Sequence, residues 1–182
     1  MLKKLFSLLV ILACFLFVIT IMKIGNQEKV VFHIPITSPI KVSKTNTIPV
    51  EKPIGKIIIQ KIGLEKPLYQ KESDKNNVEE NVAILKESMN PEEDNSILYI
   101  AAHSGTSNVS FFHNLDQLQI EDEIELQYNN QTYYYQITNI QEQPKDGYIR
   151  GRRENKRQLV LTTCCPQKEN CQLIINSIEK ES

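Results

Sequence analysis

The stretch that most constrains the fold is Arg157–Pro166, which reads RQLVLTTCCP. Its Gln158–Thr163 portion predicts a buried β-strand, because three consecutive apolar residues are followed by two β-branched threonines. Pro166 ends the strand, since proline fixes φ and donates no backbone hydrogen bond. Cys164 is therefore predicted at the end of a rigid strand and next to a loop, where functional groups are often found. Taken alone, such a cysteine is more often a small buried apolar residue.

A second predicted strand, far upstream, ends in the same way. Ile97–Ala102 is an apolar run between turn-forming residues, and it leads into His103 and a Ser-Gly-Thr loop signal. If the two strands are neighbours that point the same way, the imidazole of His103 and the thiol of Cys164 project into one cleft. A neighbouring imidazolium favours the thiolate, which is the nucleophilic form of cysteine. The two strand ends together indicate a cysteine nucleophile with a histidine partner.

Four segments, taken in order, resemble the sortase family. ILYIAAHSG followed by FFHNLDQL is similar to the histidine segment of sortases, and VLTTC (Val160–Cys164) resembles their T-L-x-T-C box. Ile54–Tyr69 is similar to the opening strand and turn of the family, and Asp122–Ile140 resembles the hairpin between the histidine and cysteine segments. The resemblance extends from Pro53 to Ile178.

The expected fold is mainly β. Many short strands without a βαβ rhythm indicate this class, and the resemblance implies a closed eight-stranded barrel. Apolar spacing predicts two short helices, at Asn77–Ser88 and Ser107–Leu118. A hairpin is predicted across Asn129-Asn130, because asparagine tolerates positive φ. Gln141–Lys156 is expected to be a polar connection, and in sortases this region contributes to the substrate groove.

The resemblance also implies the chemistry. Cys164 would attack a backbone carbonyl of a surface-protein substrate with an LPXTG-like sorting signal and form a thioacyl enzyme. His103 would act as general acid and then as general base, with an amine on a cell-wall precursor or a pilin as the acceptor. Thr163 would orient the substrate or the thiol. No cofactor or metal is expected, because no histidine lies near the cysteines at a zinc-ligand spacing.

The chain departs from the family at one position. Sortases carry an arginine on the strand after the cysteine, whereas here the matching residue is Gln172, which lacks the charge of a guanidinium. Gln172 is the first candidate for this role, and Lys168 or an arginine from the loop before the cysteine strand would be the substitutes. The departure also leaves open an alternative function, a sortase-fold binding module that has lost catalysis.

Cys165 and Cys171 leave several pairings open. Cys171 would form a disulfide with Cys164, which would block the nucleophile, or with Cys165, which would brace the loop, or both thiols would stay unpaired. A thiol redox protein that uses these cysteines is a third functional hypothesis. It is the weakest of the three, because adjacent cysteines lack the C-x-x-C spacing of that chemistry.

The N-terminal part predicts a membrane anchor. Leu5–Met22 is apolar apart from one serine and one threonine and is flanked by lysines, which suits an uncleaved transmembrane helix better than a lipoprotein signal at Cys14. The expected organisation is an anchor at 1–24, an extracellular linker at 25–52 and a catalytic domain at 53–182. The positive residues before the helix place that domain on the outer side of the cell membrane. The net charge of −1 indicates no nucleic-acid partner.

Overall fold

The computed structural model describes the backbone of residues 31–35 and the chain from 51 to 180. Ten strands lie in these ranges: β1 (Val31–Pro35), β2 (Gly55–Ile59), β3 (Leu64–Leu68), β4 (Ala83–Ile84), β5 (Ile97–Ala101), β6 (Glu123–Tyr128), β7 (Gln131–Pro144), β8 (Tyr148–Arg152), β9 (Gln158–Cys164) and β10 (Cys171–Glu179). The helical elements of the described part are two short 3₁₀ turns, Gln60–Ile62 and Leu115–Gln117. The prediction of a mainly β protein is therefore confirmed.

Eight of the strands form one curved sheet in the order β3-β2-β6-β7-β10-β9-β5-β4. Within this sheet β5 and β9 run parallel, and the other neighbouring pairs are antiparallel. The predicted barrel is nearly closed rather than closed, because the edge strands β3 and β4 are not paired with each other. Pro67 in β3 has no N–H to offer, and Asn81 Nδ2 instead donates to the Pro67 carbonyl at 2.7 Å across the gap.

The two faces of the sheet carry different sets of side chains, since successive residues of a strand point to opposite faces. The inner face holds the main apolar core, which includes Leu98, Ile100, Leu159, Leu161, Leu173 and Ile175. The outer face of β5, β9 and β10 holds a second, smaller cluster of Ile97, Tyr99, Val160 and Ile174. Ile149 of β8 packs on this second cluster and is fully buried. The β7–β8 hairpin therefore covers part of the outer face.

Turn chemistry read from the sequence agrees with the structure at the β6–β7 hairpin. Asn129 and Asn130 both have positive φ, at 46° and 65°, which suits a two-residue hairpin turn. The opening strand that the resemblance implies within Ile54–Tyr69 is present as β2, and Gly63 in the turn after it has a φ of 63°. These elements depend on neighbouring residues alone, and local pattern was enough to find them.

The helix predicted at Asn77–Ser88 is absent, and this prediction was wrong. A single turn follows Asn77, whose side chain accepts a hydrogen bond from the Glu79 N–H at 3.0 Å. The chain then becomes strand β4, where the Asn76 side chain bonds both the N–H and the carbonyl of Ile84. Asparagine side chains that bond nearby backbone groups compete with the helix in this way.

The helix predicted at Ser107–Leu118 was also wrong, because this segment contains turns and one 3₁₀ turn. Serine hydroxyls account for the difference. Ser110 Oγ donates to the Ser104 carbonyl at 3.1 Å and accepts from the Ser107 N–H at 3.2 Å, which are local bonds that compete with helical ones. Two apolar residues of the segment, Phe112 and Leu115, are still fully buried.

The polar connection predicted at Gln141–Lys156 is largely a hairpin, because β7 extends to Pro144 and β8 follows. Gln141 and Gln143 donate side-chain hydrogen bonds to the Arg150 carbonyl, which holds β8 against β7. In the predicted linker, Val31–Pro35 form β1 antiparallel to β8. The predicted membrane anchor at 1–24 lies outside the described residues, and within them no helix is long and apolar enough to cross a membrane.

Candidate active site

The predicted site residues lie in a row across three adjacent strands. In the parallel pair β5–β9, Ala101 is the register partner of Thr162, so two residues further on His103 comes beside Cys164. In the antiparallel pair β9–β10, Gln172 is the direct partner of Cys164. All three belong to the outer face, because they continue the alternation that places Tyr99 and Val160 there. The register therefore places His103 and Cys164 at the same end of neighbouring parallel strands, and their catalytic roles stay a prediction.

Two hydrogen bonds join the chain just after β5 to the end of β9. Thr163 Oγ1 donates to the Ala102 carbonyl at 2.8 Å, and Thr163 is 6% exposed. Ser104 Oγ donates to the Cys164 carbonyl at 2.8 Å. Thr163 thus orients the strand that ends in the thiol, whereas a contact between its side chain and a substrate stays a prediction.

Both predicted catalytic side chains are accessible to solvent. The thiol of Cys164 is partly buried and free, and the side chain of His103 is 38% exposed. His103 Nε2 lies 3.0 Å from Glu79 Oε1, and the His103 carbonyl accepts a hydrogen bond from the Phe112 N–H at 2.9 Å. A cysteine and a histidine with this placement are suited to nucleophilic attack and proton transfer.

The structure selects one of the pairings left open for the outer cysteines. Cys165 and Cys171 form a disulfide with a Cα–Cα distance of 5.3 Å, and among the described residues Cys164 is the free cysteine. Cys165 points to the inner core and is 6% exposed, and the disulfide links the loop after β9 to the start of β10.

Glu142 lies close to both sulfurs of this disulfide. A disulfide offers no thiolate to a metal ion, so this group does not suit a zinc site.

Gln172 occupies the position expected for the family arginine, but its side chain bonds backbone carbonyls. The residue is 2% exposed, and its Nε2 donates to the carbonyls of Pro144, at 3.2 Å, and Tyr148. An amide nitrogen has two hydrogens, so both are used in holding the turn between β7 and β8.

A residue that sequence reasoning missed lies on that turn. Lys145 Nζ is 3.1 Å from Cys164 Sγ. In the sequence it belongs to a polar run that predicts solvated surface. The strand order gives the signal that could have found Lys145. β10 pairs with both β7 and β9, so the turn that follows Pro144 at the end of β7 begins close to Cys164 at the end of β9.

The cations that the sequence offered as substitutes are paired elsewhere. Lys168 forms an ion pair with Glu142, and Arg150 forms one with Asp146. Arg152 pairs with Glu154, and Arg153 donates to the Asn95 carbonyl at 3.3 Å. None of these four contacts the Cys164 thiol in the described part of the chain.

Comparison with known proteins supports the family. The model of the sortase domain matches residues 57–177. Sortase A from Corynebacterium diphtheriae is 26% identical with a TM-score of 0.62, and the match covers 72% of this chain and 62% of that one. Sortase C1 from Streptococcus agalactiae is 25% identical with a TM-score of 0.61, covering 75% and 72%. Sortase C-1 from Actinomyces oris, at 20% identity and a TM-score of 0.62, covers 73% and 77% and supports the fold alone.

No protein among the curated sequences matches this chain significantly. The chain spans less than two thirds of the length of the Corynebacterium diphtheriae structure. Because the domain model matches well over half of the chain, the protein belongs to the sortase family. Sortases are in general cysteine transpeptidases that act on surface proteins.

Proposed function

We propose that this protein is a membrane-anchored cysteine transpeptidase that joins a surface protein to an amine acceptor. One observation carries the proposal: parallel strands β5 and β9 bring His103 beside a free, solvent-accessible Cys164 on a sortase fold. The substrate would carry an LPXTG-like sorting signal, and the acceptor would be an amine of the cell wall or of a pilin. The anchor would hold the domain on the outer face of the cell membrane.

The reaction proceeds in two acyl transfers. The thiolate of Cys164 attacks the scissile carbonyl carbon, a C–S bond forms, and the electron pair of the C=O bond moves to oxygen. As the C=O bond re-forms, the C–N bond breaks, and His103 gives a proton to the departing amine. The acceptor amine then attacks the thioester, His103 removes its proton, and the C–S bond breaks. The products are an amide and the free enzyme.

The test is transfer to a simple nucleophile. The full-length protein is incubated with an LPXTG-type peptide library and hydroxylamine, beside Cys164→Ala and His103→Ala variants. We expect hydroxamates from the wild type, none from Cys164→Ala, and a loss of about 10²- to 10⁴-fold in His103→Ala, as for a missing general acid–base group. The peptides that react identify the sorting motif.

A second candidate function is a sortase-fold binding module without catalysis. It is favoured by Gln172, which brings no charge to the position opposite Cys164 and whose amide hydrogens are used by backbone carbonyls. If no peptide gives a hydroxamate while Cys164 remains reduced and open to alkylation, the transpeptidase proposal is wrong and the binding module is favoured.

A further inference from the structure

Gln172 is neutral and cannot supply a positive charge opposite Cys164. We propose that Lys145 provides the cation at the reacting sulfur of Cys164, and that Gln172 is the positioning residue that fastens the turn on which Lys145 lies. This inference deepens the proposed function and rests on it for the part that Lys145 plays in catalysis.

The ammonium of Lys145 is available to the sulfur. Its Nζ lies 3.1 Å from Cys164 Sγ, and in the described part of the chain no carboxylate lies within salt-bridge distance of it. The adjacent Asp146 is bound by Arg150, whose hydrogen bond lowers the pKa of the Asp146 carboxyl. The positive charge of Lys145 is therefore not neutralised by a neighbour.

The turn that carries Lys145 is fastened at three points. Gln172 Nε2 donates to the carbonyls of Pro144 and Tyr148, which bracket the turn. The Lys145 N–H donates to the Asn170 carbonyl at 2.9 Å. Asn170 belongs to the loop that the Cys165–Cys171 disulfide closes. Since Gln172 is buried and its donors need partners, its side chain holds the turn in place over the end of β9.

A cation at this position acts twice in the first acyl transfer. Before attack it stabilises the thiolate, which is the reactive form of the sulfur. After the C–S bond has formed, the carbonyl oxygen carries the negative charge. This oxygen is two bonds from Sγ, so the same ammonium reaches it and stabilises it. Lysine acts here as a point charge, without the bidentate fork of arginine.

Alkylation of Cys164 by iodoacetamide tests the cation without any substrate. The full-length protein is compared with Lys145→Ala and with Lys168→Ala, a matched control for an exposed lysine that is paired with Glu142. Mass spectrometry of the peptide that contains Cys164 separates its alkylation from that of other thiols. At about pH 7 we expect the rate to fall about five-fold in Lys145→Ala and to stay unchanged in Lys168→Ala.

Two conditions separate a charge effect from a change in access to the thiol. Near pH 10, where an ordinary thiol is ionised, the wild-type and Lys145→Ala rates should converge. High salt should narrow the difference at neutral pH, and Lys145→Arg should keep most of the wild-type rate. Equal rates for wild type and Lys145→Ala at neutral pH would overturn the proposal.

The rate of hydroxamate formation provides a second test of the role of Lys145. We expect kcat/KM to fall about 100- to 1,000-fold in Lys145→Ala, as for the loss of one electrostatic group at an oxyanion, and to recover in Lys145→Arg. If Lys145→Ala forms hydroxamates at the wild-type rate, the assignment of Lys145 as the cation is overturned, while the proposed function stands. If the wild type transfers no peptide but the alkylation difference is present, the proposed function fails and the cation assignment stands.

The positioning role of Gln172 is tested by a double variant. Gln172→Ala releases the turn, so its alkylation rate at neutral pH should fall towards that of Lys145→Ala. The combination of the two changes should then be no slower than Lys145→Ala alone, because both remove the same interaction. A fully additive loss would contradict a role of Gln172 through Lys145.

Discussion

The two sides of Cys164 are built differently. On the β5 side, His103 follows a strand in the interior of the sheet. One buried hydrogen bond from Thr163 and one part-buried hydrogen bond from Ser104 join the end of that strand to β9. On the other side, Lys145 lies on an exposed turn. Hydrogen bonds from Gln172 and to the disulfide-closed loop hold this turn in place. The histidine is therefore placed by the core of the fold, whereas the lysine depends on a few polar contacts at the rim.

This difference predicts that the two sides respond differently to damage. Loss of the buried Thr163 hydrogen bond on the His103 side should lower the stability of the whole domain, because this bond is out of contact with water. Changes on the Lys145 side should move the turn and slow alkylation of Cys164, whether or not they also lower stability. Three changes, from the largest expected effect to the smallest, test this difference.

Removal of the disulfide should have the largest effect. The variant with Cys165→Ala and Cys171→Ala opens a loop with a sequence separation of 6, which should lower the free energy of unfolding by about 2 kcal/mol. The loop also holds Lys145, so alkylation of Cys164 at neutral pH should slow as well. Urea denaturation and the alkylation assay measure the two effects. An unchanged alkylation rate would show that the turn keeps its place without the staple.

Thr163→Val should have the next largest effect and should act on stability. The change keeps the shape of the side chain but leaves the buried Ala102 carbonyl without its partner, which costs about 1 to 2 kcal/mol. Alkylation of Cys164 should not change, because the Lys145 turn is intact. Thermal unfolding and the alkylation assay distinguish the two sides. Slower alkylation at full stability would contradict the proposed separation.

Glu79→Gln should have the smallest effect. Glu79 is 68% exposed and lies 3.0 Å from His103 Nε2, and exposed ion pairs contribute about 0 to 1 kcal/mol. We expect a change in hydroxamate formation of about three-fold or less, and it should shrink further in high salt. A much larger loss, matched by His103→Ala, would assign Glu79 to the orientation of the imidazole.

Local pattern predicted the elements that carry Cys164 and His103. The apolar runs of β5 and β9 and the Asn129-Asn130 turn depend on neighbouring residues, and each appears where the sequence indicates it. The two helix predictions failed because side chains of Asn76 and of nearby serines bond the backbone. Apolar spacing alone does not reveal this competition.

The sequence by itself determined the mainly β class, the resemblance to sortases and the choice of Cys164 and His103. Only the tertiary structure decided that Cys171 pairs with Cys165 and that Gln172 holds a turn. It also decided that Lys145 reaches the thiol, across 19 positions of the chain. These features arise where β10 lies between β7 and β9. Such contacts depend on which strands become neighbours, and strand pairing over long separations is not encoded in local pattern.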